Sequence, residues 1–334
     1  MPNPTQVNEI IGNHPSMVEL KNLITKVARS KVSTVLIYGE TGTGKGLVAR
    51  TLHEQSSRAS HLFTEINCAA IPGNLLESEL FGHERGSFTG AVDKKMGLLE
   101  VSNGGTVFLD EIRELDPIMQ AKILTLLDSR RFRRIGSVQE QSTDLRFIAA
   151  TNKILLNEVS AGKFRDDLYY RLQVVSINIP PLRERGDDVF VLVDRFLKKY
   201  NALHDAHFTE ISTAVKEIFQ QYRWPGNVRE LGNLLERICI LEEGEVITEK
   251  HLPSRIIREA KGQNTLSPES TAGDTSHDDA MTSNDYFEQT ARFQKSLILQ
   301  ALKRSAGNQT LAASILGISR HTLRHQLSKL GITP

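Results

Sequence analysis

A short glycine-rich stretch near the N-terminus constrains the fold more than any other feature of this chain. The apolar run VLIYG (35–39) leads into GETGTGKG (39–46), and the helical pattern LVARTLHEQS follows directly. A strand, a glycine-rich loop and a helix in this order are typical of a phosphate-binding P-loop, because the glycines let backbone amides turn toward a phosphate. A chance glycine-rich turn is the alternative. The stretch therefore predicts a parallel α/β domain that binds a nucleotide.

Individual positions of this loop carry specific expectations. Lys45 should reach the β- and γ-phosphates of the nucleotide. Gly46 stands where a P-loop usually has a Ser or Thr whose hydroxyl binds Mg²⁺, so this chain lacks that hydroxyl. The residues predicted to bind ATP are Gly39, Glu40, Thr41, Gly42, Thr43, Gly44, Lys45 and Gly46.

Two further strand patterns end in polar side chains that suit an ATPase. GGTVFLDE (104–111) ends in Asp110 and Glu111, of which the first can hold Mg²⁺ through water and the second can polarise the attacking water. The alternative is that these acids cap the helical pattern EIRELDPIMQAKILTLLD. The third strand pattern, LRFIAATN (145–152), places Thr151 and Asn152 where a γ-phosphate sensor would lie.

The distribution of charge divides the chain into three parts. Residues 1–260 alternate apolar runs with amphipathic segments, as in an α/β domain. Residues 261–285 hold five acids against one lysine and few large apolar groups, which predicts a flexible linker. Residues 286–334 carry seven Lys or Arg against one acid, and this excess predicts a polyanionic partner.

Several classes of protein are disfavoured by the sequence. It has no apolar run long enough for a membrane span and no secretory signal at its N-terminus. Its two cysteines, Cys68 and Cys239, lack the spacing of metal ligands. These observations predict a protein of the reducing cytoplasm.

The basic C-terminal part has the pattern of a helix-turn-helix. A helical pattern over 308–316, a glycine turn and a second helix capped by Ser319 follow one another. Leu323, Leu327 and Leu330 form one apolar stripe of the second helix. The basic residues off this stripe are the candidates for DNA contact: Arg320, His321, Arg324, His325 and Lys329. A plain helical hairpin with a solvated charged face is the alternative.

Eight motifs, taken together, resemble one protein family. They are GETGTGKG, FTEINCAAIP, ESELFGHERGSFTGA, GGTVFLDEI, AATN, GKFRDDLYYRL, PPLRER and WPGNVREL. In this order, residues 9–256 resemble the AAA+ domain of bacterial enhancer-binding proteins, the activators of sigma-54 RNA polymerase. The C-terminal part is similar to the Fis-type DNA-binding domain that ends many of these activators.

The resemblance implies a fold and a division into domains. The expected fold is an α/β AAA+ P-loop NTPase with a parallel sheet core and a helical lid without strands, followed by an all-α helix-turn-helix domain. The expected parts are the α/β subdomain (1–183), the lid (184–260), the linker (261–285) and the DNA-binding domain (286–334).

The stretch ERGSFTGA is close to the GAFTGA loop of the family, with Ser87 in place of the first Ala. Family members touch sigma-54 with this loop, so the resemblance implies an exposed Phe88. Taken alone, the stretch also fits a hairpin whose Phe packs back onto the core. The residues expected to contact sigma-54 are Gly86, Ser87, Phe88, Thr89, Gly90 and Ala91.

The resemblance also assigns roles in catalysis. Asn67 would restrain the catalytic Glu111, while Arg165 and Arg171 correspond to arginine fingers that reach the ATP of a neighbouring subunit. Without the resemblance, these arginines read as surface charge on a helix.

Other matching positions concern the nucleotide. Arg229 corresponds to the lid arginine that senses nucleotide, and Ile11 and Gly12 match the adenine-side segment. Family members usually carry an acid at the position of Gly46.

The function implied is that of a hexameric, Mg²⁺- and ATP-dependent activator. It would bind enhancer DNA and remodel sigma-54 RNA polymerase from the closed to the open promoter complex. The AAA+ motifs begin by about residue 9, which leaves no room for a receiver domain and favours the phage-shock type, controlled in trans by another protein such as an inhibitor, or by the level of the activator itself. We expect it in the cytoplasm with the nucleoid. Another AAA+ remodelling ATPase, or a DNA-binding regulator that only binds ATP, are the alternatives.

Overall fold

Strands and helices alternate along most of the chain. The computed structural model describes residues 9–262 and eight further positions, 298, 302, 305, 309, 312, 313, 323 and 327. The strands are β1 (Thr34–Tyr38), β2 (Phe63–Asn67), β3 (Gly82–His83), β4 (Lys95–Met96), β5 (Thr106–Asp110), β6 (Arg131–Arg133), β7 (Glu140–Ser142), β8 (Arg146–Thr151), β9 (Ser176–Asn178), β10 (Glu210–Ile211) and β11 (Val246–Ile247). The helices are α1 (Pro15–Ala28), α2 (Lys45–Glu54), α3 (Gly73–Phe81), α4 (Leu98–Val101), α5 (Pro117–Ser129), α6 (Leu155–Ser160), α7 (Asp166–Leu172), α8 (Asp188–His204), α9 (Thr213–Gln221), α10 (Asn227–Leu241) and α11 (Ser254–Ala260).

A parallel sheet of five strands, in the order β2-β5-β8-β1-β9, forms the core of the α/β part. Apolar side chains cover both of its faces, with Phe108 in the cluster on the side of α1 and α2 and Leu109 in the cluster on the other side. Because the strands are parallel, the loops after β1, β5 and β8 leave the same edge of the sheet. The predicted α/β architecture is confirmed, and its functional edge is the carboxyl end of these strands.

Helices α8 to α11 form the lid and pack around a second core that includes the buried Trp224. The prediction that this region lacks strands is wrong, because β10 and β11 pair in parallel, Glu210 with Val246 and Ile211 with Ile247. Each strand has two residues, which is too short to leave a periodic pattern in the sequence.

A separate unit spans residues 266–334. Six of its apolar residues form a small buried cluster, namely Ile298, Leu302, Ala312, Ala313, Leu323 and Leu327. The burial predicted for Leu323 and Leu327 is confirmed. The remaining predictions for this unit lie outside the described residues, as does the linker from 263 to 285: Leu330 and the DNA-contact candidates Arg320, His321, Arg324, His325 and Lys329.

Neither cysteine takes part in a disulfide, since Cys68 and Cys239 are both buried free thiols. In the described part of the chain, no helix is both long and apolar enough to span a membrane.

Candidate nucleotide site and partner loop

The P-loop connects β1 to α2, as predicted. Lys45 is the first residue of α2 and is only 7% exposed. Its Nζ donates to the Gly39 carbonyl at 3.0 Å and lies 3.6 Å from Glu111 Oε1. The unpaired amides at the start of α2 and this buried ammonium group provide a positive site for the phosphates of a nucleotide.

Asp110 ends β5, and Glu111 follows in a left-handed conformation with φ of 52°. The alternative that these acids cap the next helix is wrong, because α5 is capped by Asp116, whose side chain accepts from the Met119 amide at 2.8 Å. Glu111 Oε2 is buried and has no hydrogen-bond partner among the described residues. A buried carboxylate oxygen without a partner fits a group that holds water for attack.

The ends of the neighbouring strands contribute polar groups. Thr151 ends β8, and its carbonyl accepts from the Gly39 amide at 3.2 Å. Asn152 Nδ2 donates to Thr41 Oγ1 at 3.4 Å, so the predicted sensor touches the P-loop. At the end of β2, Asn67 pairs in register with Asp110, and its side chain accepts from the Ala69 amide at 2.9 Å.

The lid approaches the P-loop closely at Gly42. This residue has φ of 81°, and a side chain on it would collide with the Gly226 carbonyl. The Arg229 amide donates to the Gly42 carbonyl at 3.2 Å. Only glycine fits at this position. The close approach lets the backbone amide of Arg229, the predicted lid arginine, bind directly to the P-loop.

A buried amide in the lid also contacts the P-loop. Asn227 Nδ2 donates to Glu40 Oε2 and to the Thr41 carbonyl, both at 3.1 Å, while its Oδ1 accepts from the Leu182 amide at 2.8 Å. Glu40 also accepts two hydrogen bonds from Arg183, which hold the pKa of that carboxyl below its usual range. Glu40 therefore ties the P-loop to Arg183, which lies just before α8, and to Asn227, the first residue of α10.

An apolar cavity of about 360 Å³ lies between the P-loop and the lid. Its walls include Ile11 together with Thr43 and Gly44 of the P-loop. The Arg185 guanidinium in its wall is buried, which lowers its pKa to about 10, and it donates to the Pro180 carbonyl at 2.9 Å. The size and apolar lining suit the flat base of a nucleotide. Nearby, the Gly12 carbonyl accepts from Lys21 Nζ at 2.7 Å.

The partner loop (residues 84–91) projects from the α/β part on two glycines, Gly86 with φ of 76° and Gly90 with φ of 104°. Phe88 is 41% exposed, with its ring against the edge of His83 at 5.1 Å between centroids. The expected exposure of Phe88 is confirmed, and the alternative of a core Phe is wrong. Thr89 is also exposed, whereas Ala91 is buried at the base of the loop.

Ion pairs hold the base of the partner loop. The largely buried Arg134 lies 2.9 Å from Glu84 Oε1 and 2.7 Å from Glu100 Oε1. The Glu84 amide donates to the Ile135 carbonyl at 3.0 Å, which links the loop to the hairpin of β6 and β7. Hydrogen bonds from Arg134 keep the pKa of Glu84 below its usual range.

The two candidate arginine fingers lie at either end of α7, and each is 46% exposed. Arg165 pairs with Asp167 at 2.7 Å, and Arg171 pairs with Asp128 at 3.0 Å. Among the described residues, the hydrogen bonds and ion pairs of their side chains go to α5 and α7 and not to the P-loop of their own chain. Both guanidinium groups therefore lie half-exposed at the surface, each in an ion pair within its own chain.

Comparison with known families decides what kind of ATPase this is. A family model described as "Sigma-54 interaction domain" matches residues 10–178, and two others, "AAA+ ATPase lid domain" and "Bacterial regulatory protein, Fis family", match residues 183–269 and 290–330. The chain belongs to the sigma-54 activator family. It is an AAA+ ATPase with a Fis-type DNA-binding domain, and sigma-54 and DNA are its partners.

Relatives of this sigma-54 activator cover nearly the whole chain. Regulatory protein AtoC of Escherichia coli is 41% identical over 98% of this chain and 69% of its own length. Transcriptional regulatory protein ZraR of Klebsiella oxytoca is 45% identical over 96% of this chain and 68% of its own length. The crystal structure of NtrX from Brucella abortus in complex with ADP is 31% identical, with a TM-score of 0.70 over 98% of this chain and 70% of that one. The ATP complex of NtrX gives 32% identity and a TM-score of 0.69, over 97% of this chain and 69% of that one.

Sequence reasoning about this activator missed Asn227, Arg183 and Arg134. The first two lie inside motifs that identified the family, GNVREL and PPLRER, yet their contact with Glu40 joins positions more than 140 residues apart. Arg134 lies outside every motif used for the resemblance. No local pattern reports such distant partners.

Proposed function

We propose that this activator assembles from dimers into a hexameric ring, binds enhancer DNA, and uses hydrolysis of Mg²⁺-ATP to convert sigma-54 RNA polymerase from the closed to the open promoter complex. The observation that carries the proposal is the exposed Phe88 on a loop connected to the catalytic strand. From the partner loop the chain runs through β4 and α4 directly into β5, which bears Asp110 and leads into Glu111. A change at the nucleotide thus has a short covalent route to the loop that meets sigma-54.

The nucleotide residues divide the work between binding and turnover. Lys45 binds the phosphates, and Glu111 orients and polarises the attacking water. Asp110 would hold Mg²⁺ through water, and the bound ion would offset the negative charge of the phosphates. The unpartnered Glu111 oxygen and the adjacent Asp110 carboxylate support this fit.

The remaining site residues sense the state of the nucleotide. Thr151 and Asn152 report the γ-phosphate, and Arg229 reports closure of the lid. Asn67, whose backbone pairs with Asp110, restrains Glu111 until nucleotide and loop are coupled. Arg165 and Arg171 complete the site of the neighbouring subunit.

The biological setting is part of the proposal. We place the activator in the cytoplasm with the nucleoid, under an inhibitory protein that acts in trans. The proposed parts are the α/β subdomain (1–183), the lid (184–260), the linker (261–285) and the DNA-binding domain (286–334). The excess of seven basic residues over one acid in the last part supports contact with DNA.

We expect Arg324→Ala to weaken enhancer binding and leave ATP hydrolysis intact, because the linker separates the two functions. Loss of a base contact costs about 1–3 kcal/mol and specificity at one base pair, whereas loss of a phosphate contact weakens binding to all sequences and lowers the salt dependence. Gel-shift titrations with enhancer and unrelated DNA at several salt concentrations measure both. Unchanged affinity at every salt concentration would remove Arg324 from the interface.

The central test concerns the tip of the partner loop. We expect Phe88→Ala and Thr89→Ala to keep the fold, the ring and basal ATP hydrolysis, because both side chains are exposed. Both variants should fail to bind sigma-54 in the presence of an ATP transition-state analogue and fail to open the promoter, because an exposed aromatic side chain commonly anchors an interface. Gel shifts with sigma-54 and an open-complex assay give the two readouts.

Ser87→Ala is the matched control within the same loop. The Ser87 hydroxyl is buried and has no partner among the described residues, so its removal costs no hydrogen bond. We expect this variant to keep full activity. Full activity of Phe88→Ala in both assays would refute the role of the loop tip in contacting sigma-54.

A further inference from the structure

Gly46 leaves a space beside the phosphate site that no side chain of α2 fills. A side chain at this position would meet Glu65 Oε1 at 3.6 Å and Phe108 Cε1 at 3.8 Å, which are ordinary contact distances. Gly46 is also the P-loop position whose hydroxyl usually serves Mg²⁺. The space is therefore next to the expected metal, and a carboxylate from another element borders it.

That carboxylate is held by its own neighbours on β2 and α2. Glu65 pairs in register with Phe108, so it lies on the strand beside the catalytic β5. Its Oε2 lies 3.6 Å from Arg50 Nη2, and the Arg50 guanidinium stacks over the Phe63 ring at 4.9 Å. The Glu65 side chain is half-exposed, and its Oε1, the atom nearest Gly46, forms no hydrogen bond or ion pair with the described residues.

We propose that Glu65 supplies, across the gap left by Gly46, an oxygen that binds a water of the Mg²⁺ hydration shell. Mg²⁺ in phosphate sites keeps several waters and is held by one or two carboxylates together with the phosphates, so a carboxylate beside the shell suits it. Glu65 is a positioning residue, because it acts on the metal through water, and Arg50 orients it. This inference rests on the proposed use of Mg²⁺-ATP.

The charge of Glu65 gives the proposal a distinct signature. A negative carboxylate repels a nucleotide without metal and attracts one that carries Mg²⁺. Removing the charge should therefore weaken the dependence of nucleotide binding on Mg²⁺ without weakening binding in a chelator. A residue that only stabilised the fold would lower both affinities together.

The experiment uses the full chain and a fluorescent analogue of ADP, titrated in EDTA and at rising Mg²⁺ concentrations. We expect Glu65→Gln to raise the half-saturating Mg²⁺ concentration by about tenfold, the lower end of the usual loss for an outer-shell partner. Its affinity for the analogue in EDTA should equal or exceed that of the wild type. Glu54→Gln, an exposed glutamate at the end of α2, should leave both values unchanged.

A rescue variant sharpens the test. Gly46→Ser in the Glu65→Gln chain places a hydroxyl in the same space, and we expect it to return the half-saturating Mg²⁺ concentration toward the wild-type value. A wild-type Mg²⁺ response of Glu65→Gln alone would overturn the role of Glu65 and leave the proposed function intact. Absence of any Mg²⁺ effect in the wild type would overturn both.

Discussion

Replacing Glu111 with Gln is expected to preserve ATP binding and to lower ATP turnover by about 10²–10⁴-fold, the usual contribution of a general base. Glu111 lies 3.6 Å from Lys45, and one of its oxygens is buried without a partner. The amide keeps the shape of the carboxylate and cannot take a proton from water. Steady-state release of phosphate and equilibrium binding of ATP, measured on the same preparation, separate the two effects.

Lys45→Ala is the paired variant, and we expect its main defect to be in ATP binding. The Lys45 ammonium acts on phosphate charge in the ground state, so its loss should abolish ATP binding at concentrations that saturate the Glu111→Gln chain. Normal hydrolysis by Glu111→Gln would show that another group activates the water. Normal ATP binding by Lys45→Ala would remove the P-loop from the nucleotide site.

The second large effect is expected at the subunit boundary. Arg165→Ala or Arg171→Ala should lower turnover by about 10³–10⁵-fold if that residue is the finger that stabilises transition-state charge. Because the proposed finger comes from a neighbouring chain, we expect ATPase activity per chain of the wild type to rise with protein concentration. Hydrolysis assays over a dilution series, with the ring followed by light scattering, measure this dependence.

Mixing experiments distinguish action between chains from action within one chain. A mixture of Arg165→Ala and Lys45→Ala chains contains interfaces with an intact P-loop and an intact finger, so some activity should return. Arg29→Ala, an exposed arginine at the end of α1, serves as the control and should remain fully active alone. Co-assembled mixtures that recover no activity with either finger variant would contradict action in trans.

The parts of the site that could be predicted from the sequence are those that depend on short stretches of chain. The P-loop that leads to Lys45 follows the apolar strand β1, and Asp110 ends the apolar strand β5. Parallel pairing brings the ends of such strands to one edge. The start of α5 could not be predicted, because a 3₁₀ turn over Ile112–Glu114 separates Glu111 from the true cap at Asp116. A helical pattern in the sequence does not distinguish such a turn from the first turn of the helix.

Contacts between distant segments could not be predicted from the sequence for a different reason. Asn227 and Glu40 are 187 residues apart, and the geometry that joins them exists only after the lid has folded against the P-loop. Asn227 itself has φ of 51°, a left-handed conformation that asparagine adopts more readily than most residues. The residues next to it in the sequence do not indicate this conformation. The motifs thus identified the segments that matter, while the tertiary fold determined which side chains meet.

The ion pairs of Arg134 have a mechanical consequence. A loop that pushes on another protein experiences an equal reaction force, and a hinge at its foot would absorb that force as bending. Arg134 braces Glu84 against Glu100, whereas the two glycines that permit bending lie nearer the tip, on either side of Phe88. The flexible part of the partner loop is therefore its tip. A force applied at Phe88 would therefore bend the tip before it disturbs the foot, which Arg134 ties to Glu84 and to Glu100 of α4.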